Sequence, residues 1–203
     1  MRKNVKQQFA LRVLSTAALM AMVSSIATAA FAAEYDVTKG SVEIVAAGGE
    51  QRITQWADKD KGIYVQDGDG KNICDNKDPD IILTTKDETT GETKSTSNTV
   101  TITAENKGDI ANVTLRDVDI RQPDSYWSGN TDPAPIEIKG NGDTNLELNG
   151  NNTVLSGNKN HAGIEKADVN GTGTLTIKDD VNDKGEEKTS TDEDSTLLAG
   201  GYD

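Results

Sequence analysis

The chain contains few of the residues that catalysis and cross-linking require. Its 203 residues include one cysteine, one histidine and four prolines. Cys74 has no partner for an internal disulfide. His161 would have to serve any Ser-His-Asp or Cys-His arrangement alone, and the chain has neither a Gly-x-Ser-x-Gly motif nor the paired His and Cys of a zinc site. The sequence therefore predicts no catalytic residues and a protein that is not an enzyme.

The N-terminus carries the one long apolar run. Four basic residues and no acidic ones lie within residues 1–12, an apolar run follows at 13–23, and a small-residue stretch ends in Ala30, Phe31 and Ala32. This order is typical of a cleavable export signal, and the run is too short to span a bilayer stably. We predict a signal peptide at 1–33, with the motif at 30–32 as the cleavage site and residues 27–29 as the alternative. The protein is therefore expected to be secreted, and association with the cell surface stays open.

Aromatic and basic residues are scarce after the signal. Both phenylalanines and four of the 21 basic residues lie within it, so residues 34–203 carry a net charge of −17 and are about 27% apolar. Such a charge argues against nucleic acid as a partner, because phosphates require clustered Lys and Arg. The low apolar content predicts either partial disorder or a solenoid, in which each turn buries a few β-branched residues.

Short alternations of apolar and polar residues, bounded by Gly, Asn or Asp, predict an all-β chain. Predicted strands lie at residues 42–45, 63–65, 81–83, 100–102, 113–115, 118–120, 136–138, 146–148, 154–155 and 175–177.

The spacing of these strands favours one architecture. Ile120, Ile138 and residues 154–155 are separated by steps of about 18, and the next comparable strands follow after about 21 and 22 residues. A recurrence near 20 with Gly and Asn corners, as at 149–152, predicts a parallel β-helix, a solenoid with rungs of about 20 residues. A β-sandwich, which also uses short strands, is the alternative.

The predicted β-helix domain spans residues 34–203. Two polar, low-complexity segments at about 84–98 and 178–195 are expected to be exposed loops. No capping segment or LPxTG-like sorting motif is visible near residue 203, so we expect a domain incomplete at its C-terminus, belonging to a released or longer protein. The oligomeric state is left open.

A resemblance appears over about a third of the chain. Its segments are residues 111–120 (ANVTLRDVDI), 135–138 (PIEI), 145–157 (NLELNGNNTVLSG), 161–165 (HAGIE) and 171–177 (GTGTLTI). In this order they resemble secreted right-handed parallel β-helix proteins of Gram-positive bacteria, the carbohydrate-binding domain-containing proteins. The resemblance implies a right-handed parallel β-helix, calcium on the outer turns and binding of plant or cell-wall polysaccharide. It supplies no binding residue, and the Gly-Ala-Gly-Ile-Gly-Gly rungs usual in the family are missing.

Aromatic side chains supply the candidate ligand-binding residues, because sugar sites commonly use an aromatic ring as a platform. Trp127 and Tyr126 lie in a predicted loop, where little core is available to bury them, and Trp56 is the third candidate. Tyr126 and Trp127 could instead fold back over the end of a sheet.

An acidic, Gly-rich segment is the candidate calcium site. Asp67, Asp69, Asp75 and Asp78 lie close together in the sequence, and calcium takes six to eight oxygen ligands. The segment departs from an EF-hand loop because Lys71 occupies a ligand position, and a solvated acidic turn is the alternative.

These observations predict a secreted or cell-surface, non-catalytic polysaccharide-binding module, assisted by calcium. The alternative is an adhesin or structural surface stalk. A polysaccharide lyase is the third hypothesis, with Arg116 and Arg121 as the basic residues it would need.

Overall fold

The fold is all-β, and the computed structural model describes residues 33–124, 133–167, 171–179, 181, 186–189 and 193–201. Within this part the chain forms strands and a short 3-10 helix (Val37–Lys39). The strands in chain order are β1 (Glu34–Asp36), β2 (Ser41–Ala47), β3 (Glu50–Asp58), β4 (Ile63–Tyr64), β5 (Asn76–Lys77), β6 (Ile81–Thr84), β7 (Val100–Ala104), β8 (Ile110–Arg116), β9 (Asp119–Arg121), β10 (Ile136–Lys139), β11 (Asp143–Asn149), β12 (Asn151–Leu155), β13 (Ile164–Lys166), β14 (Leu175–Lys178) and β15 (Thr196–Gly200).

The strands assemble into three sheets. The first sheet has the order β1-β6-β8-β11-β14, the second β13-β10-β7-β2-β3-β4 with β5 also paired to β3, and the third β15-β12-β9. Among the described strands, antiparallel pairing is confined to β3 with β2, β4 and β5. All other pairs in the three sheets are parallel.

From β7 onward the chain visits the sheets in a fixed cyclic order. It passes from the second sheet to the first and then the third three times: β7, β8 and β9, then β10, β11 and β12, then β13, β14 and β15. From β10 onward each strand therefore pairs with the strand three places earlier, and long crossovers of this kind are what parallel pairing requires.

Every strand predicted from the alternating pattern is confirmed, but the predicted spacing between paired strands is too short. Leu83 pairs with Leu115, Leu115 with Leu148, and Leu146 with Ile177. Paired positions in the first sheet therefore recur at roughly 30 residues rather than about 20, still within the range of solenoid repeats. Segments 118–120 and 136–138 lie in different sheets. The shorter step between them carries the chain to another sheet rather than back to its partner strand.

The inward faces of the three sheets share one core. Alternate residues are buried. In β7, Val100, Ile102 and Ala104 are fully buried, and Thr101 and Thr103 are partly exposed. A single apolar cluster joins Leu115 of the first sheet, Ile44 of the second and Val154 of the third. Stacked β-branched and Leu side chains thus supply the burial that a chain poor in aromatics needs.

Local contacts hold the described parts of the two predicted loops. In segment 84–98, the backbone of Lys86 forms an isolated antiparallel β-bridge with Thr93. Thr96 forms a parallel β-bridge with Ile120 of the third sheet. In segment 178–195, Asp179 forms an ion pair with Lys188 and accepts a 2.8 Å hydrogen bond from the Ser195 amide. Polar contacts within the chain therefore fold parts of both segments.

Candidate functional site

An antiparallel excursion at residues 48–78 interrupts the parallel pattern. β2 turns back into β3 through Gly48 and Gly49, whose φ angles of 60° and 78° lie in the left-handed region that glycine adopts readily. β3 then carries β4 and β5 on its outer edge. The sequence prediction missed β3, although a Gly-Gly pair between two apolar alternations is a hairpin signal.

Two buried glutamines fix the excursion to the parallel part of the fold. The Gln51 side chain accepts a 2.7 Å hydrogen bond from the Asn112 amide and donates to the carbonyls of Asn112 and Asp78. Gln55 donates to the carbonyls of Asp36 and Gly40. Because these bonds satisfy backbone groups at the edge of the core, the excursion is held in one position.

An aromatic pair lies on the outer part of this excursion. The rings of Trp56 and Tyr64 are stacked with centroids 4.4 Å apart, at an interplanar angle of 30°. The Trp56 indole Nε1 donates a 2.9 Å hydrogen bond to Glu43, which also forms an ion pair with Lys59. The Trp56 ring is therefore fixed in position behind Tyr64.

Hydrogen bonds shift the pKa values of two groups at the aromatic pair, Glu43 and Tyr64. Burial alone would raise the pKa of Glu43, but hydrogen bonds from Lys59 and Trp56 lower that pKa below its ordinary value. A hydrogen bond with Cys74, together with partial desolvation, raises the pKa of Tyr64. At neutral pH, Glu43 is therefore ionised and Tyr64 keeps its proton.

Tyr64 lines an open cavity of about 580 Å³. The Ile63 side chain, half exposed at 50%, forms part of its wall. Polar groups come from Lys39, Gln66 and Asn72, and the remaining lining residues are Ala57, Gly62 and Val65. The cavity thus combines an aromatic ring and an aliphatic side chain with two amides and an ammonium group.

Of the three predicted ligand-binding residues, the structure describes Trp56. Trp56 belongs to the aromatic pair but does not line the cavity, and it contributes by stacking on Tyr64. Tyr126 and Trp127 lie outside the described residues. Tyr64 and Lys39 were not predicted, because their proximity depends on how β4 folds back along β3.

The four predicted calcium ligands lie in three different surroundings. Asp67 and Asp69 lie on an exposed turn, where one Asp67 oxygen accepts from the backbone amides of Asp69 and Lys71. Asp75 forms an ion pair with Arg52 at 2.8 Å. Asp78 is buried and accepts a 3.0 Å hydrogen bond from the Tyr35 hydroxyl. Within the described residues no three His, Cys, Asp or Glu side chains are grouped as metal ligands.

The residues considered for a lyase are engaged in local ion pairs. Arg116 contacts Glu34 at 3.1 Å, and Arg121 contacts Asp119 at 2.7 Å. The single histidine, His161, lies in the turn before β13. Its Nδ1 atom is 2.8 Å from Oε2 of Glu165, a residue of β13.

Comparison of the chain with protein-family models, curated proteins and solved structures finds no match. Among the described residues there is no helix with the length and apolar character needed to cross a bilayer. The cavity beside Tyr64 is the candidate functional site of the described residues.

Proposed function

We propose that this protein is an exported, non-catalytic parallel β-helix module that binds saccharide in the cavity beside Tyr64. The observation that carries the proposal is the composition of that cavity, in which an aromatic ring backed by Trp56 lies beside the amides of Gln66 and Asn72. Sugars present apolar C–H faces and polar hydroxyl edges. An aromatic ring suits the first and amide groups suit the second.

The chain passes through the three sheets in a repeated order, and this order supports the β-helix part of the proposal. A solenoid of this type returns to the same sheet once per turn and buries the inward side chains of all three sheets in one core, as is seen here. Parallel crossovers are right-handed in about 98% of cases, which favours a right-handed helix. Each such turn would return the chain to the strand three places earlier, as the pairing of β8 with β11 and of β11 with β14 indicates.

Lys39 suggests which saccharides bind best. Its ammonium group is exposed and lies 3.8 Å from the nearest Asp36 oxygen, a weak surface ion pair. A sugar carboxylate entering the cavity could replace this contact at little cost. We therefore expect uronate-containing oligosaccharides to bind more tightly than neutral ones of the same length.

Calcium enters the proposal only as a condition to be tested. Asp75 forms an ion pair with Arg52 and Asp78 accepts a hydrogen bond from Tyr35, whereas Asp67 and Asp69 lie on an exposed turn. Calcium binding by this set of four would therefore require Asp75 and Asp78 to leave these partners.

The test is saccharide binding by the exported protein. Neutral and uronate-containing oligosaccharides are titrated with calcium or with chelator, using tryptophan fluorescence in a Trp127→Phe background so that Trp56 is the remaining reporter. We expect Tyr64→Ala to weaken binding at least about fivefold, since a stacked aromatic and its burial contribute more than about 1 kcal/mol. Lys39→Ala should weaken uronate binding alone, and Ile110→Ala, which removes an exposed side chain from the first sheet, should change nothing.

Three outcomes would contradict the proposal. Equal affinity of Tyr64→Ala and the parent protein would move the site elsewhere. No binding to any saccharide would favour the surface-stalk hypothesis. Growth of the ultraviolet absorbance of unsaturated uronate product would identify a lyase.

A further inference from the structure

A buried carboxylate lies beside Ala33, the first residue that the structure describes. Asp78, between β5 and β6, is 7% exposed, and one of its oxygens accepts the 3.0 Å hydrogen bond from the Tyr35 hydroxyl. The other oxygen accepts a 3.1 Å bond from the Asp80 amide. A further hydrogen bond reaches the same carboxylate from the backbone nitrogen of Ala33.

The position of Ala33 is set by strand pairing. Its carbonyl accepts a 3.2 Å hydrogen bond from the Ile82 amide, and the next residue, Glu34, pairs with Ile82 in the parallel ladder of β1 and β6. The Ala33 nitrogen therefore lies at the carboxylate as a consequence of the register of the first sheet, while the residue itself is exposed.

The predicted cleavage site falls at the same residue. Cleavage after the small-x-small motif at 30–32 breaks the peptide bond between Ala32 and Ala33. Water supplies a hydroxyl group to the Ala32 carbonyl carbon and a proton to the Ala33 nitrogen. The resulting α-amine has an ordinary pKa of about 7.7–8.0, so it is largely an ammonium group at pH 7.

We propose that export processing converts the Ala33 amide into an α-ammonium group that the Asp78 carboxylate binds as an ion pair. The processed chain then holds its own new N-terminus, and β1 is fixed to the first sheet more firmly after cleavage than before it. This proposal depends on the predicted cleavage site and is independent of saccharide binding.

The surroundings of Asp78 fit a missing positive charge. Burial raises the pKa of this carboxyl, and the nearby negative charge of Asp80 acts in the same direction. The hydrogen bonds from Asp80, Tyr35 and Ala33 only partly offset that effect. An ammonium group at the Ala33 nitrogen would supply the charge that a desolvated carboxylate otherwise lacks.

The experiment compares N-terminal amines in exported proteins. The full chain is secreted by a bacterial host, and the intact mass of the product gives its first residue. A second version carries one glycine inserted between Ala32 and Ala33, which moves the α-amine one residue away from Asp78. A third carries Asp78→Asn. Each folded product is treated at pH 7 with an amine-acylating reagent, and the rate of N-terminal acylation is measured by mass spectrometry.

We expect a mass that begins at Ala33 and an amine that is acylated about tenfold more slowly than that of the glycine-extended form, since one unit of pKa reduces the free amine about tenfold. Asp78→Asn should return the rate to within about twofold of the extended form by the same relation. A mature chain that begins elsewhere would overturn the proposal, as would equal rates for the parent and the extended form. A slow rate retained in Asp78→Asn would also overturn it. Because the glycine extension leaves Asp78 unchanged, the comparison stands even if Asp78→Asn fails to fold.

Discussion

The indole nitrogen of Trp56 donates a 2.9 Å hydrogen bond to Glu43, a residue of the neighbouring antiparallel strand β2. The same carboxylate also holds Lys59. The orientation of the aromatic pair beside the cavity thus depends on one ionised side chain.

Replacement of Glu43 by Gln should destabilise the protein in a pH-dependent way. The pKa of Glu43 is lowered on folding, so its contribution is complete above the ordinary value of 4.5 and is lost as the pH falls through the folded value. Because the group is partly exposed, we expect a cost of about 0.5 kcal/mol at pH 7 that disappears in acid. Urea unfolding at several pH values measures it, with Glu88→Gln on the exposed 84–98 loop as control. A cost that persists unchanged at low pH would contradict this account.

Gln51→Ala should cost about 2–3 kcal/mol of unfolding free energy, because it leaves the Asn112 amide and several carbonyls without their partner inside the fold. Gln66→Ala serves as the matched control, since Gln66 is exposed. Denaturant unfolding of both variants gives the comparison. A cost for Gln51→Ala no larger than that for Gln66→Ala would show that the excursion is not held by this side chain.

Gly142→Ala should destabilise the protein by about 1–3 kcal/mol through overpacking. A Cβ atom at Gly142 would lie 2.4 Å from the Asp109 carbonyl oxygen and 2.8 Å from the Ala104 Cβ, both on earlier strands or turns. Gly68→Ala is the control, because a Cβ there meets no atom within 4 Å. Thermal unfolding should separate the two variants, and equal melting temperatures would mean that neighbouring turns can move apart at little cost.

The Asp87 carboxyl should titrate near pH 2 rather than at its ordinary pKa of 3.8. A hydrogen bond from Lys94 and the backbone amides of Thr90 and Thr89 lower its pKa to about 2. Side-chain carboxyl shifts followed by NMR give the titration directly. Lys94→Ala should move the midpoint back toward the ordinary value, whereas an unchanged midpoint would mean that the backbone amides alone are responsible.

Alternation in the sequence located many of the strands, although not β3, and did not show how they pair. Alternation in segments such as 100–102 and 136–138 reports which residues face inward, and the structure buries them accordingly. The partner of each strand depends instead on how many sheets the chain visits before it returns. Three similar alternations in a row give no local signal that distinguishes the next sheet from the next turn.

Asparagine side chains link neighbouring strands, both within the strands and at the corner at 149–152. Asn145 on β11 donates to the Asn112 side chain of the paired strand β8 at 3.0 Å. At the corner itself, Asn152 is buried and bonds to backbone groups, accepting from the Val118 amide and donating to the Thr196 carbonyl. The asparagine on β11 thus bonds to a like side chain, whereas the buried asparagine at the corner bonds to backbone groups.

The candidate site was the least predictable part. Tyr64 and Lys39 are distant in the sequence, and they line one cavity because β4 pairs back onto β3. The four aspartates, in contrast, are neighbours in sequence, but Asp75 pairs with Arg52 of β3 and Asp78 bonds to Tyr35 of β1. Distance along the sequence therefore predicted neither the lining of the cavity nor the surroundings of the aspartates.

The register of the first sheet also bears on how such a chain can change in length. Val113 pairs with Leu146, so the segment 113–145 begins and ends at equivalent points of the ladder. Its excision would join Asn112 to Leu146 with the inward and outward faces preserved. Gain or loss of whole segments of this size, through duplication or recombination within a gene, would therefore lengthen or shorten the molecule without redesigning its ends.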